Sequence, residues 1–214
     1  GWSGSALMRD LDLACGLIEA TVAASTVPVT LKMRLGWDRG SINAPELARR
    51  AETLGVALIT VHGRTRCDFY KGAADWRAVR AVREATTLPL VVNGDIVDLE
   101  TARTALADSG ADAVMIGRGA CGRPWIVGQI DRALSGREPL PVPGALAALI
   151  AGHYEAMLAH YGEKVGVRAA RKHIGWYLDH AAGPAVAPAL RRRLMTEKDP
   201  RTVLSAVSEA FAEI

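Results

Sequence analysis

The sequence predicts an α/β fold: a parallel sheet of about four βα units, followed by an all-helical C-terminal region. Four short apolar runs, Val29–Leu35, Ala57–His62, Leu90–Asn93 and Ala113–Ile116, read as buried parallel strands. Successive units start at 29, 57, 89 and 113, spaced by 28, 32 and 24 residues, which is the cadence of a strand followed by a helix. From about Gly144 onward that cadence stops and only helical periodicity is left.

Each helix between the strands carries start and stop signals. A first helix is expected over Ser5–Ser25. Pro45 suits the first turn of a helix through Leu54, with Gly55 at its C-terminal end. Asp75 can cap a helix running toward Ala85, and Asp98 one that ends at Ser109 ahead of Gly110. In the tail, Leu146, Leu149, Ile150, Tyr154, Met157, Leu158 and Tyr161 recur at helical spacing and predict a helix over Ala145–Tyr161. Further helices are expected over Val167–His180, Pro188–Thr196 and Pro200–Ala212. The Pro-rich stretch around Pro139, Pro141 and Pro143 reads as a linker, so the expected organisation is 1–138, a linker at 139–144, and 145–214. A complete barrel of eight βα units needs about 250 residues. Four units make half of one, and a small open sheet is the competing arrangement.

The composition suits a packed globular protein: 214 residues, 50% hydrophobic, 23% charged and 5% aromatic, which excludes disorder and collagen-like repetition. No apolar run approaches the roughly 18 residues of a membrane span, so no membrane partner is expected. Cys15, Cys67 and Cys121 form no CxxC pair, which argues against a disulfide framework or structural zinc and for a reducing cytoplasm. The net charge of +3 is too mild to prove a nucleic-acid partner. The chain opens on Gly1 rather than Met, and an upstream portion is expected.

The strand ends hold the chemistry. Thr30, Lys32 and Arg34 alternate on one face of the first strand, and Thr60, His62 and Arg64 repeat the pattern on the second. A lysine within a buried strand is costly unless its charge meets an anion or a strong acceptor. Either cation alone would be read as salt-bridged to a neighbouring acid; two at consecutive strand ends favour an anionic ligand. The third strand runs into Asn93-Gly94-Asp95 and the fourth into Gly117-Arg118-Gly119. Glycines there let backbone N–H groups approach a phosphate, and Arg118 adds a charged fork.

These segments carry a resemblance. Val29-Thr30-Leu31-Lys32-Met33-Arg34-Leu35-Gly36, Val61-His62-Gly63-Arg64-Thr65-Arg66, Tyr70-Lys71-Gly72-Ala73-Ala74-Asp75-Trp76, Asn93-Gly94-Asp95-Ile96, Met115-Ile116-Gly117-Arg118-Gly119 and Gly122-Arg123-Pro124-Trp125 resemble, in this order, the tRNA-dihydrouridine synthases, and most closely their bacterial B-type branch. The resemblance implies a partial TIM-type β/α barrel that binds FMN, followed by a helical tRNA-binding domain. It implies that FMN, reduced by NADPH, passes a hydride to the C5–C6 double bond of uridine while a cysteine donates the proton. Lys32 and His62 would contact the flavin, and Asn93, Gly94, Asp95, Gly117 and Arg118 its ribityl phosphate end. Arg34, Arg64 and Arg66 would sit near the tRNA substrate's mouth. The family's Asn-x-Gly-Cys-Pro motif, which carries the proton donor, would lie upstream of Gly1, so no catalytic residue is assigned here and activity of this stretch alone is not expected. The stretch Gly1–Leu7 is similar to the family's segment just after that cysteine. The full-length protein is expected to be a cytoplasmic monomer.

The tail is basic. Between Lys164 and Arg201, nine cations (Lys164, Arg168, Arg171, Lys172, Arg191, Arg192, Arg193, Lys198, Arg201) face three acids, Asp179, Glu197 and Asp199. A charge cluster is usually a solvated face; with the resemblance it points to tRNA backbone contact through Arg191, Arg192 and Arg193, with Trp176 and Tyr177 nearby to pack or stack. His153, His160, His173 and His180 have no acids or cysteines at ligand spacing, so no metal is assigned. Cys67, beside Arg66, reads as a loop cysteine without a role. Two other classes compete: a barrel isomerase or lyase of a small phosphorylated metabolite, and a non-catalytic RNA-binding remnant.

Overall fold

A computed structural model describes residues 3–182 and 186–212, so Gly1 and Trp2 of the opening stretch lie outside the described residues. The chain divides into two compact units, Gly1–Gly119 and Ala120–Ile214. The division falls ahead of the Pro-rich segment at 139–144.

The first unit is α/β. Its four strands, β1 (Thr30–Arg34), β2 (Leu58–His62), β3 (Leu90–Asn93) and β4 (Ala113–Met115), pair in parallel in the order β1-β2-β3-β4. Each strand lies beside its sequence neighbour, the arrangement of consecutive units in a partial TIM-type barrel. Helix α1 (Leu11–Ala24) precedes β1, and three helices lie between the strands: α2 (Ala44–Thr53), α3 (Trp76–Ala85) and α4 (Leu99–Ser109). Met33, Ile59, Val61, Leu90 and Val92 share the sheet face that is buried, together with Leu47, Val79, Val82 and Ala102 of the helices.

Two expectations need correction. Burial on both faces holds for neither β1 nor β4, because they form the edges of the described sheet; Thr30, Lys32, Ala113 and Met115 are exposed. The expected Ser5–Ser25 helix is also broken. Gly4–Arg9 is a 3-10 turn, and Asp10 leaves helical geometry to cap α1, accepting from the Leu13 N–H at 2.9 Å. The other caps are where the sequence places them. Asp75 accepts from the Ala78 N–H, and Gly110 ends α4 in the left-handed region at φ 68°.

The second unit is all-helical: α5 (Ile126–Leu134), α6 (Leu146–Tyr161), α7 (Glu163–Tyr177), α8 (Pro188–Thr196) and α9 (Pro200–Ala210). Helix α5 has no counterpart among the sequence expectations. Helix α7 starts earlier than expected and gives way after Tyr177 to a π turn over Leu178–Ala182. Ile150, Tyr154, Val167, Ile174, Tyr177, Leu194, Val203 and Phe211 form a shared core. Tyr177 is therefore buried packing rather than a stacking surface, its hydroxyl 3.1 Å from His153 Nδ1. No helix among the described residues is long and apolar enough to cross a membrane.

At the start of α4, Asp98 accepts from the Thr101 N–H at 2.8 Å while Thr101 Oγ1 accepts from the Asp98 N–H at 3.0 Å, a reciprocal capping box. Asp98→Ala is expected to lower unfolding stability by about 1 kcal/mol, read as a reduced urea midpoint. An unchanged midpoint would show that the box contributes nothing.

Candidate active site

Register places the strand-end residues side by side. Arg34 pairs with His62, His62 with Asn93, and Asn93 with Met115, so one row crosses the sheet at its C-terminal edge. Lys32 lies one row below, opposite Thr60. This row lies on the sheet face opposite the helices.

Arg64 organises the cluster from below. It is only 2% exposed, and all five of its N–H groups are engaged. Nε donates to the Lys71 carbonyl at 3.2 Å, and the two terminal nitrogens reach the Gly72 carbonyl (2.6 Å), His62 Nε2 (3.3 Å) and both oxygens of Asp95 (3.0 and 2.5 Å). The resemblance implies a place for Arg64 at a substrate mouth. Its donors are turned inward instead, and it holds the loops after β2 and β3 in place.

Asp95 is the other half of the fork. Its carboxylate also accepts from the Ala74 N–H at 2.8 Å and lies 3.6 Å from the Arg118 guanidinium. Burial works to raise its pKa, but the Arg64 hydrogen bond, the Ala74 N–H and the two guanidiniums outweigh it, holding the carboxyl below its usual range. The backbone is bent to make this possible. Gly94 and Asp95 both have positive φ, 116° and 54°. A Cβ on Gly94 would stand 2.8 Å from His62 Cδ2 and from the Ala74 Cβ, so only glycine fits that turn. Trp76 Nε1 ties it down, donating to the Gly94 carbonyl at 2.9 Å.

His62 is 8% exposed among Arg34, Lys32 and Arg64, with Asp95 opposing them. Burial first, then those three cations, push its pKa down to about 4. Because a guanidinium can only donate, the Arg64 contact makes Nε2 the acceptor and leaves the proton on Nδ1.

The remaining residues separate into two groups. Lys32 has no hydrogen-bond or ion-pair partner among the described residues, and partial desolvation followed by Arg34 lowers its pKa. Gly117 has open space where a Cβ would stand, and Arg118 is 66% exposed. Asn93 Nδ2 donates to the Met115 carbonyl at 2.8 Å, bracing β4. Arg34 donates to the carbonyls of Thr65 (2.7 Å) and Phe69 (2.9 Å), which fixes the loop after β2. Arg66 turns elsewhere and packs over Phe69 and Trp37, 4.2 and 5.8 Å from the ring centres. Arg191, Arg192 and Arg193 belong to the helical unit; Arg191 pairs with Asp179 at 2.6 Å and Arg193 with Glu209 at 3.4 Å.

Tyr70 is the member that sequence reasoning did not single out. Its exposed ring lies under Arg118 and Arg34, 4.7 and 5.6 Å from their guanidinium carbons, and 6.5 Å from the His62 ring. It sits in a turn without periodicity, and the sequence marks it only as the first residue of the Tyr70–Trp76 segment that carries the resemblance. Lys32, Arg34, His62 and Tyr70 line a cleft of about 480 Å³ together with α1, the turn before it, the rest of β1, Leu47 and Val56. Lys32 and Arg34 are the cations among its lining residues and no acid is among them, so the polar part of this lining suits an anionic group.

Removing the Asp95 charge should strand a buried guanidinium. Asp95→Asn is expected to cost about 2–3 kcal/mol of unfolding stability, the low end of a broken buried pair because Asp95 is 32% exposed. A urea midpoint within error of the parent would show that the fork is idle. His62 gives a pH test. An unfolded imidazole titrates near 6.5 and the folded one near 4, so between those values only the unfolded chain takes up the proton. Stability should therefore fall as pH drops from 6.5 toward 4 and be fully present above 6.5. Ring NMR should find the midpoint near 4, and one at or above 6.5 would refute the buried, neutral imidazole.

The sequence model of the dihydrouridine synthase family matches residues 1–214. A probable tRNA-dihydrouridine synthase of Rhizobium leguminosarum bv. phaseoli is 54% identical over 211 residues, covering 99% of this chain and 65% of that protein. One from Rhodobacter capsulatus is 53% identical over 215 residues, covering 100% and 65%. A tRNA-dihydrouridine synthase B of Xanthomonas axonopodis pv. citri is 48% identical over 182 residues, covering 84% and 55%. The chain thus spans 65% of the length of the first two curated relatives. With matched residues running from end to end, the chain belongs to the dihydrouridine synthase family.

Proposed function

We propose that the protein is a cytoplasmic, FMN-dependent tRNA-dihydrouridine synthase that reduces the C5–C6 double bond of uridine, with NADPH as electron source. The observation that carries this reading is a cation-rich cluster at consecutive strand ends in a member of this family. Family membership weighs against an isomerase or lyase of a small phosphorylated metabolite.

The residues present fit a flavin mononucleotide. Lys32 has no partner among the described residues, Gly117 leaves open space beside its Cα, and Arg118 keeps most of its surface free. Arg118 and the Gly117 backbone would hold the phosphate, with Asn93, Gly94 and Asp95 shaping the turn beside it. Lys32 and His62 would face the ring, which when bound supplies the hydride. A lysine ammonium stabilises negative charge that develops on a ring oxygen or nitrogen. Neutral His62, protonated on Nδ1, can donate one hydrogen bond without adding a positive charge. Arg34 and Arg64 hold the loops that shape the mouth, and Tyr70 offers an exposed ring beside it. The helical unit would take the tRNA.

Lys32→Ala in the full-length protein is expected to weaken FMN binding about ten- to a hundredfold, the loss of one charge-assisted contact. Arg118→Ala should cost no more than about tenfold, since Asp95 already shares its charge. Flavin absorbance of the purified proteins measures occupancy, and dihydrouridine in unmodified tRNA measures turnover. A colourless parent, or equal occupancy in parent and Lys32→Ala, would sink the assignment.

A further inference from the structure

The helical unit holds a second cationic feature, away from the arginines of α8. Lys164, Arg168 and Arg171 project from α7, and with Lys198 from the turn between α8 and α9 they line a pocket of about 430 Å³. Glu163 is the acid in its wall and Val167 the one apolar lining residue. Among the described residues, the side chains of Lys164, Arg168 and Lys198 have no ion-pair or hydrogen-bond partner.

The nearby carboxylates are turned to other tasks. Glu197 Oε1 accepts from the N–H groups of Lys198 (2.6 Å) and Asp199 (3.0 Å), and Asp199 caps α9 through Thr202. Arg171 donates to the Thr196 and Glu197 carbonyls, at 3.1 and 3.0 Å, which pins the α8–α9 turn against α7. Two polar atoms remain without partners: Arg171 Nε, and the hydroxyl of Tyr154, a residue 2% exposed. Burial first, then Asp199, push that hydroxyl up to about 12; Arg171, Glu163 and Glu197 are its other electrostatic neighbours. It therefore stays a donor, among the groups that surround the pocket.

We propose that the Lys164–Arg168–Arg171–Lys198 pocket seats a backbone phosphate of the RNA substrate. The choice of RNA rests on the function proposed above; the anion chemistry does not. Four cations against one lining acid select a phosphate-type anion. On α8, by contrast, Asp179 and Glu209 already offset Arg191 and Arg193.

The test is tRNA affinity across a salt series, using the full-length protein and an unmodified transcript. Lys164→Gln, Arg168→Gln and Lys198→Gln combined should flatten the plot of log affinity against log salt by about 0.7–0.9, the contribution of the one phosphate the pocket seats. Affinity at moderate salt should fall about ten- to a hundredfold, while Arg191→Gln with Arg193→Gln should change it less than about threefold. Arg171 stays unchanged because it braces the turn, and circular dichroism checks that each variant is folded. Lys164→Arg with Lys198→Arg should keep the parent slope. Intact tRNA binding with an unchanged slope in the triple variant overturns the pocket and leaves the proposed function standing. A parent that binds tRNA but forms no dihydrouridine removes the proposed function, while a flattened slope still supports the pocket. Inorganic phosphate that shifts Lys164 and Arg168 resonances, without any slope change for tRNA, would mark a free-phosphate site and overturn the RNA assignment.

Discussion

The strand-end cluster depends on the ion pair between Arg64 and Asp95. A guanidinium buried to this depth is tolerable only when its charge is paired and its N–H groups are met, and here all five are. The fork joins the loops after β2 and β3, and Arg118 brings the loop after β4 to the same carboxylate. Three strand ends converge on a single acid. The positive φ angles of Gly94 and Asp95 are the conformational cost of aiming that acid correctly, and Trp76 and Ala74 stabilise the bend.

That convergence sets the electrostatics of the mouth. Arg64 and Arg118 flank the Asp95 carboxylate, Arg34, Lys32 and Arg64 crowd His62, and His62 answers by staying neutral. A charged imidazole there would add a further cation to an excess already in place. The cluster thus carries its positive charge on three guanidiniums and one ammonium, and keeps a neutral hydrogen-bond donor among them. Lys32 differs from the rest of the cluster in having no hydrogen-bond or ion-pair partner among the described residues.

The helical unit repeats this separation between engaged and available charge. Arg171 resembles Arg64 in using its fork to brace a turn, while Arg191 and Arg193 pair with acids across the surface. Exposed pairs of that kind add little stability, but they do cancel charge. Lys164, Arg168 and Lys198 have no such acid partner among the described residues, whereas two of the three consecutive arginines of α8 do.

The sequence by itself determined the parallel sheet of βα units, because apolar runs at βα cadence leave few topologies open, while the strand order was decided by the fold. It also determined the caps at Asp75 and Asp98, because a helix start is a local matter of one side chain and the next turn. It marked the strand ends as the chemical edge through Lys32, His62, Asn93 and Arg118. Partnership was left to the tertiary structure. Arg64 and Asp95 are 31 residues apart, and nothing local says that one is buried beneath the other. Tyr70, in a turn without period, becomes part of the mouth only when the β2 loop folds back over Arg34. The same holds for the exposure of β1 and β4, since burial of a strand depends on what lies beside it and above it. Local signals settle which elements form. Which charges cancel and which remain for a ligand is decided only when distant residues meet.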